Sequence, residues 1–92
     1  MFYGVNPKCV LHWVSWDDEY VVFDESSGQT HQLDSVRAFV LNFLGADAHS
    51  FEAILTELAT VPVLADVPQL LELLKTILNE LSTHGLVEVT SA

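Results

Sequence analysis

The chain has 92 residues, room for one small domain, and half of them are hydrophobic, so a core can form without disulfide or metal staples. Thirteen Asp and Glu stand against three basic residues, Lys8, Arg37 and Lys75, a formal net charge of −10 that excludes the cationic face needed by nucleic acids and anionic membranes. One cysteine, Cys9, excludes an internal disulfide framework and a cysteine-based zinc site.

Residues 1–9, broken by Gly4 and Pro7, are expected as an extended N-terminal arm before a single domain over 10–89. VLHWVSW (10–16) is rich in β-branched and aromatic residues and lacks a helix cap, which predicts a strand. Asp17-Asp18 marks a tight turn into a second strand, EYVVFD (19–24). ESSG follows, with Gly28 at a left-handed turn position, and QTHQL (29–33) forms a third strand. The meander is antiparallel, with its most apolar strand in the middle and QTHQL at an edge. Asp34 is an N-cap before a first helix whose Val36, Phe39, Val40, Phe43 and Leu44 recur at three and four, with Gly45 as its left-handed C-cap. Ser50 caps a second helix in FEAILTELAT, and Glu52 suits the positive end of its dipole. Two prolines in VPVLADVP (61–68) interrupt the helix, and Asp66 is expected to cap a third helix running to about His84 and ending at Gly85. LVEV (86–89) is a short extended tail. The fold class is α+β, a three-stranded antiparallel sheet followed by three helices.

No stretch is long enough to span a bilayer, and the opening segment lacks the layout of a secretory signal, so a soluble cytoplasmic protein is expected. His12, His31, His49 and His84 fall on different elements without ligand spacing, which predicts no metal. The acid pairs Asp17-Asp18 and Asp24-Glu25 lie in turns, with no nucleophile and base beside them and no phosphate loop. No catalysis and no cofactor are expected.

Apolar bulk is in excess at two places. Trp13 and Trp16 point to opposite faces of their strand, so both sheet faces carry large side chains. Helices cover one face; the other needs the arm, a second copy of the chain, or a ligand. On the third helix Leu70, Leu74, Ile77 and Leu81 form the core line, flanked by Leu71, Leu78 and Leu73. The arc is roughly 160°, wider than the ~100° stripe of a surface helix. It fits either a helix wedged between layers or a flank lining a groove. QTHQL, in turn, is either a solvated edge that resists aggregation or an open edge that accepts an extended peptide.

L-D-S-x-x-A (33–38), S-F-E-A-I-L-x-E-L (50–58) and L-S-x-H-G-L-V (81–87), on three strands and three helices, resemble the PqqD family over residues 10–89. G-Q-T-H-Q-L-D (28–34) and W-D-D-E-Y-V-V-F-D (16–24) are similar to its branch from HPr-rel-A systems, named for a kinase related to the HPr kinase. The resemblance implies a winged helix-turn-helix-like domain of the RiPP recognition element kind. Such a domain would be a non-catalytic chaperone that captures a precursor's leader peptide as an added strand and presents it to a modifying enzyme. Carried onto this chain, it places Gln29, Thr30, His31 and Gln32 at the peptide-binding edge; the helical wheel adds Leu71, Lys75 and Leu78. The rival expectation is a structural subunit that forms a homodimer or docks a kinase-like partner.

Overall fold

Turns and caps written into the sequence set the element boundaries. In the computed structural model, which describes residues 1–17, 19–61 and 68–90, strands β1 (Phe2–Val5), β2 (Leu11–Trp16), β3 (Glu19–Asp24) and β4 (Gln29–Leu33) precede helix α1 (Ser35–Ala46). Then come β5 (His49–Ser50), α2 (Phe51–Ala59), α3 (Leu70–Thr83) and β6 (Val87–Thr90). The β3–β4 turn closes through Gly28, at φ 76°, whose N–H donates to the Asp24 carbonyl at 2.8 Å. The buried Asp24 carboxylate holds the turn from inside, accepting from the Ser26 and Ser27 hydroxyls at 2.7 and 2.9 Å and from the Ser26 and Val10 N–H groups. Those donors, the Ser26 hydroxyl foremost, hold its pKa far below the usual carboxylate range.

Helix α1 starts as expected, with Asp34 Oδ1 accepting from the Arg37 N–H at 2.8 Å, and α2 with Ser50 Oγ accepting from Ala53. The expected cap at Gly45 is not used: α1 runs on to Ala46 and stops at an extended Asp47. Gly85, at φ 77°, does end α3 in the left-handed conformation. Asp18 and Asp66 lie outside the described residues. Helix α3 itself begins after Gln69, which makes no side-chain capping bond.

Two antiparallel sheets form, in the orders β2-β3-β4 and β5-β1-β6. The first is the expected meander. The second corrects the sequence reading: the arm is a central strand, and the tail is β6, its partner, with Phe2 opposite Thr90 and Val5 opposite Val87. FYGV is too short and too glycine-broken to announce a strand by itself; a partner more than eighty residues away makes it one.

The core lies between the sheets and helices. Val22 and Leu33 meet Ala38, Leu41 and Leu44 of α1, Ile54 and Leu58 of α2, and Leu74, Ile77, Leu78 and Leu81 of α3. Each fully buried Leu or Ile contributes about 1.5–3 kcal/mol from burial. The register puts Trp13, Val22 and His31 side by side on the inner face, and Val14, Val21 and Gln32 on the outer one. That outer face stays open: Val14, Trp16 and Phe23 keep 52%, 51% and 39% of their surface. The arm does not cover it, because β1 is committed to the other sheet.

Candidate functional site

The open edge of β4 is where hydrogen-bonding capacity is left over. Which groups point outward follows from one bond, Glu25 N–H to Val10 carbonyl at 2.8 Å. It marks the Val10–Glu25 pair as the closely bonded kind, and in an antiparallel ladder bonded and non-bonded pairs alternate. Carried along the register, His12–Phe23, Val14–Val21 and Trp16–Glu19 are bonded pairs of the β2–β3 ladder. Residues of β3 that face β2 cannot face β4, so the β3–β4 ladder bonds through Tyr20–Leu33, Val22–His31 and Asp24–Gln29. Thr30 and Gln32 therefore turn their N–H and C=O groups away from the sheet. Among the described residues no strand pairs with that side.

The C-terminal end of α3 approaches β4 through His84. The His84 ring, at the end of α3, meets the His31 ring edge-on with centroids 5.4 Å apart. One turn earlier, Glu80 takes a two-pronged bond from Arg37, Nε to Oε2 at 2.7 Å and Nη2 to Oε1 at 3.2 Å. Arg37 also donates to Asp34 Oδ2 at 2.6 Å. The guanidinium thus ties the strand end, the α1 start and α3 together, and it lowers the Glu80 pKa. The His31 Nε2 is shut off from solvent and has no hydrogen-bond partner among the described residues. Desolvation, and then the His84 charge, lower the His31 pKa, while Asp24 opposes them. The neutral ring is favoured there.

Gln29, Thr30, His31 and Gln32 lie together on one strand, as the sequence suggests. The helix residues named with them lie elsewhere. Lys75 and Leu78 line a groove of about 560 Å³ with Tyr3, Phe51 and Val89, on the flank of α3 that meets the second sheet. Leu78 is buried, Leu71 is 43% exposed, and Lys75 sits 3.6 Å from Glu72. On the helix, Glu80 and His84 are roughly 120–180° around from Lys75 and Leu78. The helix-end residue that meets β4 is His84, while Glu80 reaches α1 through Arg37. The second sheet, which draws the Leu78 flank inward, is what a helical wheel alone could not supply. His84 was visible only as a helix-ending histidine, and its contact with His31 spans 53 residues. No cluster of three or more metal-ligating side chains forms among the described residues.

No family model matches the chain, and no curated protein matches it. Among solved structures, TbiB1 in complex with the TbiA(beta) leader peptide matches at a TM-score of 0.72 and 20% identity, over 97% of this chain and 99% of that one. The two chains share a fold; in this chain it is an α+β domain of two antiparallel three-stranded sheets and three described helices.

Proposed function

We infer that this chain is a non-catalytic peptide-binding domain of the RiPP recognition element kind, in the PqqD family and near its HPr-rel-A branch. It takes an extended leader peptide as an added strand along β4 and presents the remainder of the precursor to a modifying enzyme. One observation carries the reading. The outward N–H and C=O groups of Thr30 and Gln32 form an open strand edge beside α3, in a fold shared with a protein solved together with a leader peptide. Main-chain bonds to Thr30 and Gln32 supply affinity, and side chains around Gln29, His31 and His84 supply selectivity. The unpartnered His31 Nε2 gains a partner when a peptide polar group arrives.

In this reading the β3–β4 hairpin is the wing of a winged helix-turn-helix-like domain, and β1 belongs to the same unit through β6. Winged helices often bind DNA, but a net charge of −10 opposes it. A cytoplasmic setting suits such a chaperone, and no described helix is long and apolar enough to cross a membrane. The test is to titrate candidate leader peptides, taken from precursor genes adjacent to this one, against the isotope-labelled chain. Shifts should fall on 29–33 and on 80–84; shifts confined elsewhere would refute strand addition at β4. The exposed Val14, Trp16 and Phe23 favour a second reading, a subunit that docks an HPr-kinase-related protein or a second copy.

A further inference from the structure

Among the described residues the sheet has a second open edge, on β2, and its chemistry differs from that of β4. The phase that turns Thr30 and Gln32 outward on β4 turns the N–H and C=O groups of Leu11, Trp13 and Ser15 outward on β2. Natural edges are guarded by lysine, proline, inward charges or bulges. LHWVSW carries no Lys, Pro, Asp or Glu, and its pairing with β3 runs without a bulge. Trp13, Val14 and Trp16 keep 38%, 52% and 51% of their surface. Beside this edge, on the inner face, a cavity of about 610 Å³ is lined by Trp13, Ser15, Tyr20, Val36, Phe39 and Asn42 among the described residues. An adjoining one of about 480 Å³ shares Trp13 and Asn42 and reaches Leu11 and Ala46. The edge and the trough along α1 form one surface.

We propose that this surface is the contact between two copies of the chain, joined by antiparallel β2–β2 pairing about a twofold axis. Such an axis stands perpendicular to the sheet and keeps inner residues facing inner residues, so only registers that pair odd with odd positions are allowed. Of these, Trp13 opposite Trp13 of the second copy, with Leu11 opposite Ser15, engages every outward group of the strand. The inner side chains of each copy, Leu11, Trp13 and Ser15, then lie in the other's trough along α1, and the contact is reciprocal. The alternating ladder makes the edge self-complementary, and its lack of acidic residues keeps most of the −10 charge away from the seam. Remaining repulsion is screened over about 8 Å at physiological salt, so added salt tightens the pair. The inference does not rest on the peptide reading: β4 stays free at both far ends of the joined sheet.

Sedimentation equilibrium of the intact chain tests it. The wild type should run at twice 10.2 kDa as concentration rises. Ser15→Pro removes an outward N–H that makes no bond among the described residues and should weaken the dimer by at least about tenfold, with an unchanged circular dichroism spectrum. Phe39→Glu, on α1 and outside the strand, should do the same by charging the trough. Phe23→Lys, on the outer face, should leave the dimer intact. A chain that stays monomeric throughout overturns the proposal. So does a dimer untouched by both Ser15→Pro and Phe39→Glu, or one lost only with Phe23→Lys, which would mean face-to-face packing. Peptide binding at β4 should persist in Ser15→Pro, so failure of either idea is read separately.

Discussion

At the scale of single residues, the informative side chains are those whose environment contradicts their usual behaviour. His31 is one: it stands on the inner face of a strand that is polar up to Leu33, with a ring nitrogen that finds no partner among the described residues. Its pKa lies below the ordinary 6.5, through desolvation and then the His84 charge. The folded state therefore binds the proton less readily than the unfolded chain. Its contribution to stability is complete above about pH 6.5 and is lost as pH falls through the lowered value. Urea midpoints measured between about pH 8 and about pH 5 should decline less steeply in His31→Gln than in the wild type. An identical decline would show that His31 does not govern this range. Gly85 is the other: at φ 77° an alanine meets its own backbone, and Gly85→Ala should cost about 1 kcal/mol in chemical denaturation, although its Cβ meets open space.

At the scale of elements, the hairpin and the caps were legible in the sequence because they are local. Gly28, Asp34 and Ser50 act where short-range turn and helix chemistry puts them. The third helix is legible as an element, but its orientation is not. Its leucine arc is wide because β6 and α2 both pack against it, and β6 takes its place beside β1 only through tertiary pairing. Thus Gln29 to Gln32 could be placed on one edge from sequence, whereas the helix residues beside them had to be read from structure. The ladder phase also sharpens the strand itself. Thr30→Pro and Gln32→Pro each delete an outward donor and should reduce peptide affinity up to about tenfold while leaving the fold intact. His31→Pro deletes a ladder bond to Val22 and should instead lower the melting temperature. On α3, His84→Glu should impair peptide binding more than Lys75→Glu, since only His84 reaches β4; isothermal titration of both variants reads the order directly.

At the scale of the whole molecule, composition decided more than any motif. A net charge of −10 turns the expectation away from nucleic acid. The two sheet edges divide the remaining labour. On the proposed reading, the polar β4 edge can stay open without aggregating, as a transient peptide site must, and the apolar β2 edge is suited to a lasting partner. What ties these scales together is strand addition at β4. The most direct measurement is amide exchange and chemical-shift mapping of the labelled chain, with and without a saturating leader peptide. Strand addition predicts that the Thr30 and Gln32 N–H groups, exchanging freely in the unbound protein, become protected and shift, while the His31 N–H, already in the ladder, changes little. Protection that appears on Leu11, Trp13 or Ser15 instead, or around Lys75 and Leu78 with β4 unchanged, would contradict the account.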